Sequence, residues 1–261
     1  MTVELRQEQR TMLWTLTMHA HDAASARPIL GDPYAAELLD RVDDPPDLGL
    51  SLGGNTPLIC ARAKLIDDVA RGWLARHDEA VVLHLGCGLD SRVLRLDPGP
   101  GVQWFDVDQE PVIDLRRRLY DEREGATVVA GDVTDPSFWS RFTDDLPRLV
   151  LAEGLLMYLD PAGVQSVVDG ALTGGATLVA DTVAPWVTWV AGLQPAMRAA
   201  DTGFRSSTAD LAKVAPRLVD ELSLVDATAT RTGGLTSTAV RLFALVPHAR
   251  NAMVLQTYER A

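Results

Sequence analysis

Short apolar runs alternate with longer segments of helical periodicity through the middle of the chain. The runs are rich in Val and Leu and predict strands over 81–85, 102–107, 126–130, 148–153 and 175–181. Segments with helical spacing separate them, most clearly 110–122 and 160–171, each with a proline near its start. Buried parallel strands that alternate with helices are typical of a doubly wound α/β sheet.

The pattern changes towards both ends of the chain. Helical spacing near the N-terminus predicts helices over 1–30, 35–41 and 57–76. Between the last two, residues 43–57 are rich in Asp, Pro and Gly and predict a loop. Near the C-terminus, the runs 220–227 and 239–246 predict a final antiparallel pair of strands. The sheet is therefore expected to be mostly parallel and seven-stranded.

These elements suggest a division of the chain into two parts. We expect a helical N-terminal extension over residues 1–78 and an α/β core over residues 79–261. An insert near 185–206 interrupts the core and contains large apolar side chains: Trp186, Trp189, Met197 and Phe204. We expect this insert to join the N-terminal helices as a helical lid over an apolar binding cleft; the ordinary core of a helical cap is the alternative.

Composition narrows the range of partners. The 261 residues include 24 Lys plus Arg and 36 Asp plus Glu, so the formal charge is −12. A negative surface repels phosphate backbones, and nucleic acid is excluded as a partner. The only cysteines, Cys60 and Cys87, have no metal-site spacing, and no window has the length of a membrane span. We expect a cytoplasmic protein without a metal site or a membrane partner.

The strongest chemical feature is a glycine turn after the first core strand. Leu85 is followed by Gly86-Cys87-Gly88, and the next predicted strand ends in Asp106 and Asp108. A glycine turn lets a ligand approach the backbone, and an acid on the next strand accepts hydrogen bonds from ribose hydroxyls. Asp106 lies 20 residues after Gly86 and Asp108 lies 22, and the spacing by itself prefers Asp106.

Three interpretations of the glycine turn compete. The turn can need glycine only for its backbone angles. A nicotinamide cofactor would need a third glycine, where this chain has Ser91. S-adenosylmethionine uses the same acid but has no pyrophosphate, so a larger residue after the second glycine is acceptable.

Longer segments around these residues carry a family resemblance. They are Leu85–Arg92, Phe105–Ile113, Ala152–Leu159, Asp32–Ala35 and Ala61–Ala63. Together they resemble the leucine carboxyl methyltransferase family, and within it the bacterial O-methyltransferases of polyketide biosynthesis, of the tetracenomycin type. The similarity runs from about residue 12 to residue 245. It implies a class I, Rossmann-like methyltransferase fold with S-adenosylmethionine as cofactor.

The resemblance also assigns roles to particular residues. It prefers Asp108 for the ribose hydroxyls, with Asp106 in reserve, and implies that Arg62 pairs with the methionine carboxylate. Glu153, at the end of the fourth strand, corresponds to a cofactor contact. Gly86 and Gly88 would let the backbone pass close to the methionine part.

Positions after the strands indicate roles for four further residues. Asp132 and Val133 follow the third strand, where an acid can bind the adenine amino group and Val133 can pack on the ring; Asp132 as a helix cap is the alternative. Asp90 can cap the helix after the glycine turn or contact the ligand. Arg92 is interpreted as a solvated surface charge.

The methyl acceptor decides whether a general base is required. A carboxylate is already ionised at neutral pH, whereas a phenol gains from a base. The candidates for such a residue are His19, His21 and Tyr158, while His84 lies inside a strand and is interpreted as a core histidine. We expect O-methylation of a small, apolar or aromatic, polyketide-type molecule. The alternatives are a cofactor-binding protein with cyclase-like chemistry and an NAD-dependent oxidoreductase.

Overall fold

The computed structural model describes residues 11–42, 45–46, 55–142, 145–191, 203–215 and 217–260. Its strands are β1 (Ala80–Leu85), β2 (Val102–Asp108), β3 (Ala126–Ala130), β4 (Arg148–Ala152), β5 (Thr177–Val183), β6 (Leu218–Ser223) and β7 (Met253–Glu259). Its helices are α1 (Thr11–Ala23), α2 (Ala35–Asp40), α3 (Thr56–Leu74), α4 (Arg92–Leu96), α5 (Glu110–Leu119), α6 (Pro136–Trp139), α7 (Pro161–Ala171), α8 (Pro185–Ala191), α9 (Thr208–Val214), α10 (Leu224–Arg231), α11 (Gly234–Ala244) and α12 (Pro247–Arg250). Short 3-10 turns cover Leu156–Tyr158 and Thr173–Gly175.

The strands form one seven-stranded sheet in the order β3-β2-β1-β4-β5-β7-β6. Strands β1 to β5 pair in parallel, and β7 runs antiparallel to both β5 and β6. The predicted doubly wound, mostly parallel sheet is confirmed. The strand order reverses direction between β1 and β4, and ligands of such sheets bind outside the carboxyl ends of the strands at that point.

The predicted final pair of strands is partly wrong. Strand β6 ends at Ser223, after which Leu224–Arg231 is helical, and the run at 239–246 belongs largely to helix α11. The partner of β6 is β7, a strand that the sequence did not predict. A short apolar run fits a buried helix as well as a strand, and pairing with β5 is what selects Met253–Glu259.

Apolar side chains cover both faces of the sheet. Strand β1 is buried throughout, and its successive residues Val82 and Leu83 belong to the cores on opposite faces. On one face α3 packs Ile66 and Trp73 into the core that contains Val82. One core therefore continues across the boundary at residues 78 and 79.

The N-terminal helices cover the end of the sheet where the strands stop. Leu16 of α1 and Leu38 of α2 pack with Leu89, which follows the glycine turn, and with Leu119 of α5. This placement closes the crevice at the carboxyl ends of β1 and β2. Among the described helices, none combines the length and the apolar character needed to cross a bilayer.

Candidate functional site

A cavity of about 610 Å³ lies at the carboxyl ends of β1, β2 and β4. Its walls come from α1, α3, the glycine turn, the loop after β4, and α8. Cavities that bind cofactors and small molecules fall in this size range and occur at the switch point of α/β sheets. The cavity is therefore the candidate functional site.

The glycine turn forms one wall of the cavity and requires glycine at two positions. Gly86 and Gly88 have φ values of +60° and +50°, which side chains disfavour. A Cβ atom on Gly86 would lie 3.2 Å from Leu155 Cδ1, and one on Gly88 would lie 3.2 Å from Met12 Cβ. Backbone angles and close packing both explain the two glycines.

Side chains around helix α5 hold the carbonyl groups of this turn. The Nη1 atom of Arg116 donates to Gly88 O at 3.1 Å and to Asp90 O at 2.8 Å. Just after the helix, the Tyr120 hydroxyl donates to Leu89 O at 2.7 Å. Three successive carbonyls are thus fixed from behind. Sequence reasoning missed Arg116 and Tyr120; their spacing of four, which places them on one helical face, was the only signal.

Asp108 connects the end of β2 to the glycine turn and lines the cavity. Its Oδ2 accepts a hydrogen bond from Gly88 N at 2.8 Å, and its Oδ1 accepts one from Gln109 N at 2.7 Å. Burial raises the pKa of the Asp108 carboxyl, although both backbone hydrogen bonds oppose this shift. The remaining lone pairs are acceptors available to a ligand in the cavity.

Asp106 lies deeper in the sheet and does not line the cavity. It accepts from Trp104 Nε1 at 2.9 Å and from Arg116 Nη2 at 2.5 Å, and lies 3.0 Å from His84 Nδ1. Burial raises the pKa of Asp106, but Arg116 and the His84 hydrogen bond outweigh it and lower the pKa to about 2. The spacing that preferred Asp106 is therefore misleading, because only the last residue of the strand reaches the cavity.

Arg62 and Glu153 form an ion pair on the cavity wall. Arg62 Nε lies 2.9 Å from Glu153 Oε1, and Arg62 Nη1 lies 3.3 Å from Asp181 Oδ2. Asp181 also accepts from Gly154 N at 2.6 Å, which ties the loop after β4 to β5. Burial raises the pKa of Glu153, but Arg62 and Arg92 outweigh it and hold the carboxyl ionised.

Arg92 is wholly buried, which contradicts its interpretation as a solvated charge. Its Nε lies 2.8 Å from Asp67 Oδ1, its Nη1 lies 2.8 Å from His84 Nε2, and its Nη2 contacts Glu153. An arginine at the start of a short helix gives no sequence signal for such partners. They come from α3, β1 and the residue after β4, which only the tertiary structure brings together.

Asp90 lines the cavity and pairs with two arginines. Arg95 Nη1 lies 2.7 Å from Asp90 Oδ1, and Arg92 Nη2 lies 3.2 Å from Asp90 Oδ2. Burial raises the pKa of Asp90, but both arginines outweigh it and hold the pKa well below its usual range. The N-cap of α4 is Ser91, so Asp90 is not the helix cap.

The structure does not bring Asp132 and Val133 to the cavity wall. The exposed Asp132 carboxylate accepts from Thr134 N at 2.9 Å and from Thr134 Oγ1 at 2.6 Å, while Val133 is buried in the core. Their contacts with adenine stay a prediction. The cap of the following helix is Asp135, which accepts from Ser137 N, so the alternative role of Asp132 as a helix cap is wrong.

The two histidines predicted as candidate bases, His19 and His21, and the predicted core histidine His84 occupy different environments. His19 is buried and lines the cavity. His21 is exposed and does not line the cavity, because side chains two positions apart on a helix lie on different faces. His84 contacts Asp106 and Arg92 through its two ring nitrogens, which agrees with its interpretation as a core histidine.

Helix α8 contributes valines, not tryptophans, to the cavity. Val187 and Val190 line it, whereas Trp189 is 71% exposed and Trp186 donates from Nε1 to His248 O at 3.2 Å. Met197 lies outside the described residues. The aromatic part of the wall includes Tyr158 and Phe204, which make an edge-to-face contact with centroids 5.3 Å apart.

Comparisons with known proteins show which family the chain resembles. The model of the leucine carboxyl methyltransferase family matches residues 12–171. The chain is 38% identical over 206 residues to the tetracenomycin polyketide synthesis O-methyltransferase TcmP of Streptomyces glaucescens, covering 78% of this chain and 76% of the relative. It is 35% identical to the S-adenosyl-L-methionine-dependent methyltransferase dpfgK of Gibberella zeae, covering 60% and 58% of the two chains.

Solved structures show the same fold. A candidate methyltransferase from Thermobifida fusca YX superposes with a TM-score of 0.56 at 16% identity, covering 94% of both chains. An O-methyltransferase family protein from Burkholderia thailandensis gives 0.52 at 14% identity, covering 97% of this chain and 70% of that one. The family match extends over the glycine turn, Asp108 and Glu153. The chain therefore belongs to the leucine carboxyl methyltransferase family.

Proposed function

We propose that this protein transfers the methyl group of S-adenosylmethionine to an oxygen atom of a small molecule. The observation that carries the proposal is the hydrogen bond from Gly88 N to Asp108. It fixes a half-buried carboxylate beside a side-chain-free turn on the cavity wall, which is the arrangement that a nucleoside with a short chain on its 5′ carbon requires.

The residues present fit this cofactor by their chemistry. The cavity is lined by the carboxylates of Asp90, Asp108 and Glu153, and Arg62 is already paired with Glu153 and Asp181. An excess of carboxylates favours a ligand that carries positive charge. When bound, S-adenosylmethionine supplies an electrophilic methyl group on a positively charged sulfur.

Each wall of the cavity has a separate task in this proposal. Asp108 accepts hydrogen bonds from the ribose hydroxyls, and Gly86 and Gly88 leave room for the methionyl chain. Arg62 binds the methionine carboxylate through its planar guanidinium, and Glu153 holds Arg62 in place. Asp106 takes no part, because His84, Trp104 and Arg116 enclose its carboxylate.

The remaining walls indicate an apolar acceptor with an aromatic ring. Trp14, Ile59, Val190 and Phe204 line this part of the cavity. Burial raises the pKa of the Tyr158 hydroxyl, so this group stays protonated and can donate a hydrogen bond, not remove a proton. A carboxylate acceptor is already ionised and needs no base, which favours a carboxylic acid over a phenol.

The protein contributes alignment and exclusion of water to such a reaction. Helix α1 covers the glycine turn, and α8 covers the acceptor side with valines. Closing an active site in this way raises the effective concentration of the reacting groups. We also propose a polyketide-type acid as substrate, since the TcmP relative acts in polyketide synthesis by its name, and the cytoplasm as the compartment, since both cysteines are free thiols.

Calorimetry and a transfer assay test the proposal. We expect the purified protein to bind S-adenosylhomocysteine, and to transfer label from methyl-labelled S-adenosylmethionine to aromatic polyketide acids in preference to matched phenols. Binding without transfer to any acceptor would favour cyclase-like chemistry. Binding of NADH in place of S-adenosylhomocysteine would favour an oxidoreductase and overturn the proposal.

A further inference from the structure

Two buried histidines line the cavity, and their ring nitrogens differ in their contacts. His84 lies 3.0 Å from Asp106 Oδ1 through Nδ1 and 2.8 Å from Arg92 Nη1 through Nε2. His19 Nε2 is buried but has no hydrogen-bond partner among the described residues. A buried polar atom without a partner is rare, and one on a cavity wall indicates a contact with the ligand.

The orientation of the His19 ring indicates which nitrogen carries the proton. His19 Nδ1 lies 3.8 Å from Asp32 Oδ2, and among the residues that the structure describes no other carboxylate lies within ion-pair distance of the ring. Asp32 is itself held by Ser91 Oγ at 2.7 Å and by Arg95 Nη1 at 3.0 Å. A carboxylate facing Nδ1 favours the proton on that nitrogen, which leaves Nε2 as an acceptor.

The surroundings of His19 favour the neutral ring. Burial lowers the pKa of His19, and Arg95 adds to this effect, while Asp90, Glu153 and Asp32 oppose it. A neutral ring with a free acceptor nitrogen accepts a hydrogen bond and does not repel a cation. The ligand group that meets Nε2 must therefore be a donor.

The carboxylates around His19 indicate that this donor group carries a positive charge. Asp90 and Glu153 both line the cavity and both act electrostatically on His19. Asp90 is held ionised by Arg92 and Arg95. A group with positive charge and several N–H donors fits an imidazole acceptor beside a carboxylate.

We propose that His19 Nε2 accepts a hydrogen bond from the α-ammonium group of the cofactor, with the Asp90 carboxylate supplying the opposing charge. This inference rests on the proposed function and extends it to a residue of helix α1. His19 is then a cofactor-binding residue that binds the amino group, whereas Arg62 binds the carboxylate.

Calorimetry with two ligands tests this assignment. The first is S-adenosylhomocysteine, and the second is its deamino analogue, in which hydrogen replaces the amino group and the carboxylate remains. We expect His19→Leu to weaken binding of S-adenosylhomocysteine about tenfold, as expected for one hydrogen bond to a charged group. We expect no change for the deamino analogue.

Two further variants sharpen the comparison. His19→Gln retains an acceptor oxygen, and we expect it to recover part of the lost affinity. His21→Ala, an exposed change on the same helix, is the matched control and leaves both affinities unchanged. His19→Ala gives the same comparison should His19→Leu prevent folding, and a melt without ligand reports on folding in each case.

The outcomes separate this inference from the proposed function. An equal loss of affinity for both ligands, or no loss for either, overturns the role of His19. A fall in turnover with unchanged affinity for S-adenosylhomocysteine also overturns it and indicates a base acting on the acceptor. Failure of the unaltered protein to bind S-adenosylhomocysteine overturns the proposed function itself.

Discussion

Two aspartates on strand β2 show how a displacement of two residues along a strand changes the role of a carboxylate. Asp106 is enclosed by His84, Trp104 and Arg116. Asp108 is the last residue of the strand, and two backbone N–H groups hold its carboxylate at the cavity. The first is a structural charge and the second is free to bind a ligand.

Substitution by asparagine distinguishes the two aspartates. We expect Asp108→Asn to weaken binding of S-adenosylhomocysteine by about tenfold to a hundredfold, because hydrogen bonds to a charged acceptor are lost. We expect Asp106→Asn to reduce the free energy of unfolding by about 3–5 kcal/mol, because Arg116 remains buried without its partner. Calorimetry and urea denaturation measure the two effects.

Each aspartate variant is the control for the other. Asp108→Asn is expected to retain most of its stability, and Asp106→Asn, where it stays folded, to retain most of its affinity. The reverse pattern, with weak binding in Asp106→Asn and instability in Asp108→Asn, would contradict the assignment.

At the scale of elements, the glycine turn depends on contacts from two helices. Helix α1 packs Met12 against Gly88 on the cavity side. On the other side, Arg116 of α5 and Tyr120 hold the carbonyls of residues 88–90. The turn is therefore shaped before a ligand arrives, which reduces the entropy lost on binding.

A methyl group at Gly88 should disturb this arrangement. Gly88→Ala forces a side chain into the left-handed region and against Met12 Cβ, so we expect a loss of stability of about 1–2 kcal/mol. We also expect at least about tenfold weaker binding of S-adenosylhomocysteine, since α1 must shift over the cavity. Thermal melts and calorimetry measure these effects.

Gly99→Ala is the matched control for the turn. A Cβ atom there meets nothing within 4 Å, and Gly99 does not have a positive φ. We expect its stability to change by less than about 1 kcal/mol and its affinity to remain unchanged. Equal effects at Gly88 and Gly99 would show that the turn has no special requirement for glycine.

At the scale of the whole molecule, a buried ionic network joins the N-terminal helices to the sheet. Arg92 and Arg95 on α4 reach Asp67 on α3, and Arg95 also reaches Asp32 before α2. Arg62 extends the network to β5 through Asp181. Removing one partner of such a network is expected to be costly, because the other charges stay buried.

A second buried ion pair, between Asp106 and Arg116, makes stability depend on acid pH. The folded pKa of Asp106 is about 2, below its ordinary value of 3.8, so its contribution is present above pH 3.8 and is lost as pH falls towards 2. This difference corresponds to about 2 kcal/mol. In urea denaturation, we expect the stability gap between the unaltered protein and Asp106→Asn to narrow by that amount between about pH 5 and about pH 2. A gap that is independent of pH would contradict the ion pair.

The family and the central sheet could be predicted from the chain itself. Apolar runs of strand length between helical segments specify the parallel strands, because burial on both faces requires continuous apolar residues. The glycine turn and the acids at the strand ends were visible because such sites need particular residue types at particular places. Most of the residues predicted to bind the cofactor line the cavity: Arg62, Gly86, Gly88, Asp108 and Glu153.

Partners far apart in the chain were decided only by the tertiary structure. The tertiary structure decided the pairing of β7 with β5, the burial of Arg92, and the contacts of Arg116 and Tyr120 with the glycine turn, which all involve distant segments. Local sequence reports the chemistry that a residue can offer. Which atoms it meets is set by the packing of elements, since a charge is stable in a core only where other parts of the chain supply its partners.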